Sequence, residues 1–165
     1  MQKTLYLIRH AKSDWSVLGQ KDMERELNSR GISDAPRMGA KMKELGMQPE
    51  LMISSPSVRT RMTLEFMTEQ MDYDLEAVHW EEDIYESSVR TLLRIINELP
   101  EEKQRVAIVG HNPGLTYLAE YITGDILGNI PTCGIVEIQL ENLKWEEVSQ
   151  NTGSLKQFIF PKKDL

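Results

Sequence analysis

Two histidines stand directly after the two most apolar stretches of the sequence, and their type and placement suit them for chemistry. His10 follows Arg9 and the apolar run 5–8, and His111 follows the run 106–110. Runs this apolar are typical of strands covered on both faces, as in a largely parallel sheet. Ligands of open α/β sheets bind outside the carboxyl ends of the strands. If the two strands are neighbours, we expect the two imidazoles to face each other across one crevice.

Two arginines extend this set of basic side chains. Arg9 precedes the first histidine, and Arg59 falls in the first turn of a helix predicted to begin at Pro56 with Ser55 as its cap. Helix amino termini favour anions, because free amides and the peptide dipoles both present positive charge there. A forked guanidinium can bind two phosphoryl oxygens at once. At ~4 Å and an effective dielectric near 20, each charge contact contributes roughly 4 kcal/mol before the cost of desolvation is subtracted. The four side chains therefore predict a phosphoryl-binding site.

An imidazole placed among arginines can act as a nucleophile towards phosphorus. We expect the surrounding charge to lower the pKa of that imidazole below the usual value of about 6.5, which keeps it neutral and reactive. Attack would form a phosphohistidine that water later resolves, while the second histidine, in its protonated form, stabilises the charge of the transition state. This chemistry needs no metal, and the sequence has no nucleotide-binding glycine motif, so no cofactor is predicted.

Composition narrows the class of protein. The 165 residues and the absence of a linker or repeat predict a single domain over 1–165. A formal net charge of -7 argues against general nucleic-acid or anionic-membrane binding, and the sequence has no membrane-spanning or secretory stretch, so we expect a cytoplasmic protein. We expect the one cysteine, Cys133, to be a buried thiol. We expect His79 to be a structural or surface residue and the acidic run 81–83 to form a solvated turn.

Strands and helices alternate along the chain, which predicts α/β layers. The first helix is expected to begin with Asn28 as its cap and to end at Gly46. Pro36 either kinks this helix or places its start near Ser33. Further helices are expected over 56–67, over 88–99 and after Pro113. Strands are expected at 5–10, 50–53, 75–80 and 106–111. Short strands at 133–140, 144–148 and 155–160 predict antiparallel pairing near the carboxyl end of the chain.

These motifs resemble the histidine phosphatase superfamily, which has the phosphoglycerate-mutase-like fold. The resemblance rests on Arg9-His10-Ala11, residues 27–31, residues 54–63 and 110–114. The short length, residues 11–15 and 112–114 are similar to the SixA-type phosphohistidine phosphatase branch. The resemblance implies a three-layer sandwich, with helices on both faces of a mostly parallel central sheet. It also implies that His10 is the phosphorylated nucleophile and that Arg9, Arg59 and His111 complete the phosphate pocket.

Three further residues are candidates near the site. The family's general acid, where present, is a carboxylate after the third strand, and Glu86 stands near that place; a solvated residue leading into the next helix is the alternative. Ser13 and Asn112 flank the two histidines and could contact phosphate.

The leaving group indicates the substrate. An imidazole leaves phosphorus with less help from an acid than an alkoxide does, so a metal-independent phosphatase acting on phosphohistidine in signalling or phosphotransfer proteins is the leading interpretation. A small-molecule phosphomonoesterase is the enzyme alternative, and a non-catalytic phosphate-binding module is the other. The sequence leaves the pathway and the oligomeric state open.

Overall fold

A six-stranded sheet forms the centre of the structure, a computed structural model that describes residues 1–161. Its strands are β1 (Gln2–Arg9), β2 (Leu51–Ser54), β3 (His79–Trp80), β4 (Arg105–Gly110), β5 (Ile135–Glu141) and β6 (Ser154–Ile159), in the order β3-β2-β4-β1-β5-β6. The first four run parallel, whereas β5 and β6 join β1 through antiparallel pairs. The predicted mostly parallel sheet with antiparallel strands near the carboxyl end is confirmed.

Helices cover both faces of the sheet. They are α1 (Ser29–Glu44), α2 (Val58–Met71), α3 (Val89–Asn97) and α4 (Gly114–Thr123). Alternate residues of β1 divide between two cores, because successive side chains of a strand point to opposite faces. Leu5 and Leu7 pack with the apolar faces of α3 and α4, and Tyr6 and Ile8 pack with those of α1 and α2. The three-layer α/β fold is thereby confirmed. Within residues 1–161, none of the helices has the length and apolar character needed to cross a membrane.

The register of the parallel strands places three strand ends side by side. Arg9 on β1 pairs with Gly110 on β4, so His10 and His111 leave the sheet as neighbours. On the other side of β4, Ser54 of β2 pairs with Val109. The chain therefore turns out of β1, β4 and β2 at one edge, which is where the side chains of the site converge.

The start of α1 is held against the loop that follows β1. The Asn28 side chain caps the helix by accepting a hydrogen bond from the Gly31 amide at 2.9 Å, as predicted. A Cβ at Gly31 would lie 2.2 Å from the Lys12 carbonyl oxygen, so only glycine allows this close approach. The helix continues through Pro36, and the alternative start near Ser33 is wrong.

The start of α2 differs from the prediction by two residues. Ser57, rather than Ser55, is the cap and accepts a hydrogen bond from the amide of Thr60, so Pro56 lies outside the helix. The Ser55 hydroxyl instead accepts from the Ser57 amide at 3.3 Å. Arg59 still falls in the first turn, as expected.

Two predicted strands are wrong in part or entirely. The strand expected at 75–80 is a 3-10 helix, Leu75–Ala77, followed by the two-residue strand β3, and the strand expected at 144–148 is a 3-10 helix, Trp145–Glu147. Trp145 and Val148 are both buried and stand three residues apart, which matches the 3-10 period. The Asn97 amide donates to both of their carbonyl oxygens, and this contact from α3 holds the turn.

Candidate active site

The two histidines that follow β1 and β4 lie against each other. Their ring centroids are 5.3 Å apart with the planes inclined by 51°. Both side chains are nearly inaccessible to solvent, His10 being 7% exposed and His111 8% exposed. The predicted juxtaposition of the two imidazoles is therefore present.

The hydrogen bond of His10 defines which ring nitrogen can react. Nδ1 lies 2.6 Å from the carbonyl oxygen of Ala11, and a carbonyl can only accept, so Nδ1 carries the proton. In the neutral ring, Nε2 then keeps its lone pair. Burial lowers the pKa of His10 to about 4, and the nearby guanidiniums act in the same direction, while the contact with Ala11 opposes them. The imidazole is neutral at physiological pH, as the sequence predicted.

His111 has the opposite tautomer. Its Nδ1 lies 3.4 Å from Nη2 of Arg59, which can only donate, and its Nε2 lies 2.8 Å from the hydroxyl of Ser55. Nε2 therefore carries the proton and donates to Ser55. Burial, His10 and Arg59 lower the pKa of His111 to about 3. Both rings are thus neutral bases in a positively charged setting.

Arg59 reaches the histidines from the first turn of α2. Its Nη1 donates to the backbone oxygen of Asp22 at 2.8 Å, and its Nη2 donates to the carboxylate of Asp22 at 3.0 Å. The side chain is 6% exposed. Its Nε–H is buried and has no hydrogen-bond partner among residues 1–161.

Arg9 presents a second buried donor of the same kind. Its Nη1 donates to the carbonyl oxygen of Ile130 at 2.9 Å, whereas its Nε–H is buried without a partner in the described part of the chain. Burial and the charge of Arg59 lower the pKa of Arg9. Leaving a buried donor without an acceptor costs roughly 1–3 kcal/mol, so two such donors beside two imidazoles indicate a site for an anion.

Asp22 and Arg25, which the sequence reasoning missed, complete the charged cluster. The Asp22 carboxylate accepts hydrogen bonds from Arg25 Nε at 2.9 Å, from Arg59 and from the Tyr85 hydroxyl. Burial works against ionisation, but these hydrogen bonds and charges hold the pKa of Asp22 well below its usual range. Arg25 also stacks on Trp15, with its guanidinium carbon 3.5 Å from the ring centroid.

The other candidates from the sequence have different surroundings. Ser13 lies in the site, where its hydroxyl accepts a hydrogen bond from Arg25. Asn112 also borders the site, but its amide donates to Asn129 and Ile130 at 2.9 Å each and its oxygen accepts from Thr116, so its polar atoms already serve the fold.

Glu86 lies beside His111 but outside the cluster of arginines. Its side chain is exposed, and its backbone has a φ of 55°, in the left-handed region that favours glycine. It borders a separate cavity of about 400 Å³, which it shares with His111. Within residues 1–161 its carboxylate makes no hydrogen bond, so the structure brings it near the second histidine without orienting it.

A cavity of about 280 Å³ opens at the centre of the cluster. Its lining residues are Arg9, His10, Lys12, Ser13, Trp15, Arg25, Arg59, His111, Asn112 and Thr132. Four of these are cationic and none is a carboxylate, although the protein carries a net charge of -7. We name this space the phosphate cavity, after the phosphoryl group that the sequence predicts here.

Side chains that the sequence analysis set aside lie apart from this chemistry. Cys133 is buried, and burial raises the pKa of its thiol, which disfavours the reactive thiolate. His79 is exposed on β3. In the described range 1–161, no three side chains of His, Cys, Asp or Glu cluster in a way that could hold a metal ion.

Sequence comparisons give a consistent set of relatives. The histidine phosphatase superfamily (branch 1) model matches residues 5–88. An uncharacterized chloroplast protein of Arabidopsis thaliana is 30% identical over 161 residues, covering 93% of this chain and 73% of that protein. A 2,3-bisphosphoglycerate-dependent phosphoglycerate mutase of Bartonella henselae is 35% identical over 83 residues, covering 47% of this chain and 39% of the mutase.

Solved structures share the whole architecture. SixA of Agrobacterium tumefaciens, a candidate phosphohistidine phosphatase, is 26% identical, with a TM-score of 0.82 over 96% of this chain and 98% of that one. The protein histidine phosphatase SixA in complex with tungstate has a TM-score of 0.80 at 19% identity, covering 96% of each chain. The second similarity concerns the fold alone.

Proposed function

The chain belongs to the histidine phosphatase superfamily (branch 1), and we propose that within it the protein removes phosphate from phosphohistidine side chains of other proteins. His10 is the proposed nucleophile, and the reaction is proposed to need no metal ion. The observation that carries the proposal is the pair of neutral imidazoles, 5.3 Å apart, beside two buried guanidinium donors that have no partner in the described part of the chain.

In the first step, Nε2 of His10 attacks the phosphorus of the bound phosphohistidine. The new N–P bond forms as the old one breaks, and the electron pair of the old bond returns to the substrate imidazole. Nδ1–H of His10 keeps its hydrogen bond to the Ala11 carbonyl oxygen, and this contact keeps the ring aligned and stabilises the positive charge that the ring gains. Because the nucleophile and the leaving group are the same chemical group, this exchange needs little help from a general acid.

Arg9 and Arg59 bind the phosphoryl oxygens, and their charge compensates the anion during transfer. His111, neutral before the substrate binds, takes a proton from bulk water in the field of the phosphate and donates it as a hydrogen bond to an equatorial oxygen. In the second step, a water oxygen bonds to phosphorus as the P–N bond to His10 breaks and its electron pair returns to Nε2. The proton that the water loses stays on the phosphate, which leaves as H2PO4⁻, and His111 returns its proton to bulk water. The neutral imidazole of His10 is restored.

Two observations support phosphohistidine over a phosphate ester. Glu86, the family's candidate acid position, is exposed and has no hydrogen bond that orients it among residues 1–161. SixA of Agrobacterium tumefaciens, which is 26% identical to this chain, is itself described as a candidate phosphohistidine phosphatase.

A panel of phosphorylated substrates tests the proposal. We expect steady hydrolysis of a phosphohistidine protein with EDTA present, slow hydrolysis of sugar and glycerate phosphates, and no activity for His10→Ala. Loss of activity in EDTA would contradict the metal-independent mechanism. The Glu86→Gln variant should change phosphohistidine hydrolysis by less than about threefold.

The same panel distinguishes the alternatives. Rapid turnover of a small phosphoester together with a loss of ~100-fold or more in Glu86→Gln would indicate a phosphomonoesterase with Glu86 as its acid. Tight phosphate binding without any label on His10 from a ³²P donor would indicate a binding module.

A further inference from the structure

A second cavity adjoins the phosphate cavity, and the proposed reaction makes no use of it. Its volume is about 320 Å³, and it shares Lys12 and Thr132 with the phosphate cavity as a common wall. Its remaining lining residues are Arg30, Asp34, Pro131, Phe160 and Pro161. A substrate that places its phosphoryl group in the first cavity brings the neighbouring part of its chain to the second.

Arg30 and Lys12 bring hydrogen-bond donors to this second cavity. Arg30 makes one long contact, from Nε to the Asp34 carboxylate at 3.5 Å. The Arg30 side chain is 46% exposed and Lys12 is exposed, so the terminal amino groups and the ammonium, which have no protein partner within residues 1–161, are open to a ligand. A carboxylate between them would accept charge-assisted hydrogen bonds from both side chains.

Asp34 positions Arg30 rather than offering a site for a cation. Its side chain is 8% exposed, and it stands one helical turn after Arg30 on α1, where residues four apart are neighbours. A cationic ligand would meet the charges of Arg30 and Lys12 before it reached this carboxylate. The second cavity therefore favours an anion.

Charge over the two cavities agrees with this reading. Their cationic lining residues are Arg9, Lys12, Arg25, Arg30 and Arg59, and the described residues contribute one lining carboxylate, Asp34. A phosphoryl group engages the inner arginines, so Lys12 and Arg30 are left for a second anionic group. Pro131 and Phe160 form an apolar wall, which lowers the local dielectric and strengthens the attraction.

We propose that the second cavity is a specificity subsite for a carboxylate of the substrate, carried close to the transferred phosphoryl group. In a phosphohistidine protein this carboxylate belongs to an Asp or Glu side chain near the phosphorylated histidine. The proposal rests on the proposed function, because the phosphoryl group must occupy the first cavity.

Paired peptides test the subsite. Each pair carries one phosphohistidine and either Glu or Gln at the same position, with the position moved stepwise along both sides. For the wild-type protein we expect kcat/KM to favour Glu about tenfold at one or two positions, the size of a charge-assisted contact at a partly exposed site. Arg30→Gln should bring that ratio close to one.

The matched control is Arg37→Gln. Arg37 is an exposed arginine on the same helix that lines neither cavity, so its variant should keep the wild-type preference for Glu. A preference retained in Arg30→Gln would overturn the subsite, as would a ratio near one at every peptide position together with no preference for phosphoglycerate in the small-molecule comparison. If no peptide is hydrolysed and His10 takes no phosphoryl label, the proposed function itself fails.

A small-molecule arm identifies the source of the carboxylate. Phosphoglycerate is compared with glycerol phosphate in the wild-type protein and in Arg30→Gln. A preference for phosphoglycerate that is lost in Arg30→Gln, without any preference among the peptides, would keep the subsite and assign the carboxylate to a small phosphoester.

Discussion

Lowering the pH should leave His10 able to accept a phosphoryl group far below the pH at which an ordinary imidazole is protonated. Burial is the main cause, because the charged ring would lose its hydration, and it lowers the pKa of His10 to about 4. Three guanidiniums nearby act in the same direction. The reactive Nε2 lone pair should therefore persist until the pH falls close to that value.

The size of the effect follows from the two pKa values. At pH 5.5, an imidazole with the usual pKa of about 6.5 is neutral in roughly one molecule in ten. With a pKa of about 4, His10 is almost entirely neutral at the same pH. Phosphoryl transfer to His10 at pH 5.5 should thus be about tenfold faster than an ordinary imidazole would allow.

A rapid-quench experiment that follows the first phosphoryl transfer to His10 measures this directly. The protein is mixed with excess phosphoramidate at several pH values between 4 and 8, and the reaction is quenched in alkali. Mass spectrometry of the intact protein then measures the fraction that carries a phosphoryl group. ³¹P NMR follows the protonation of phosphoramidate over the same pH range. His10→Ala sets the background. His111→Asn should lower the rate but leave the acid midpoint in place, because the pKa of His111 is lower still, about 3. A half-maximal rate near pH 6.5 in the wild-type protein and in His111→Asn would refute the reasoning.

Three further substitutions test contacts around the histidines. Asp22→Asn removes the carboxylate that orients Arg59, so kcat should fall about tenfold. Inorganic phosphate should inhibit the variant at least as well as it inhibits the wild-type protein, since a negative charge is gone; weaker inhibition would contradict this. Ser55→Ala leaves the buried Nε2–H of His111 without its acceptor and should lower the free energy of unfolding by about 1–3 kcal/mol in a urea titration; an unchanged midpoint would speak against that tautomer. Gly31→Ala places a Cβ 2.2 Å from a backbone carbonyl oxygen and should destabilise by about 2 kcal/mol, read as a lower Tm in calorimetry; an unaltered Tm would exclude the close approach.

The strands that carry the histidines could be predicted from the sequence, because burial on both faces leaves a clear apolar run. The cap at Asn28 was predictable as well, since its side chain acts on an amide three residues away. Turns that are held by contacts with distant parts of the chain could not be predicted. The 3-10 helix at Trp145–Glu147 looks like a strand in isolation and is held by the Asn97 amide of α3, far away in the chain.

The candidate site divides in the same way. Residues at strand ends, such as His10 and His111, were predictable because strand order brings them together. Asp22 begins a short 3-10 helix, Asp22–Glu24, and Arg25 follows it. The sequence of this stretch has no periodicity, and its path depends on tertiary contacts such as the stacking of Arg25 on Trp15. The spacing of three residues from Asp22 to Arg25 was the one local signal, and it is typical of many solvated ion pairs.

The charge of the site also gives His111 a state that depends on the substrate. Protonating a histidine with a pKa of about 3 costs about 5 kcal/mol at pH 7. A phosphoryl dianion at ~4 Å and an effective dielectric near 20 would stabilise the added proton by roughly 8 kcal/mol, which exceeds that cost. Burial is the main reason that His111 is neutral, and the arginines that add to this effect also attract the dianion that favours its protonation. His111 should therefore become a hydrogen-bond donor only when a phosphoryl group is present.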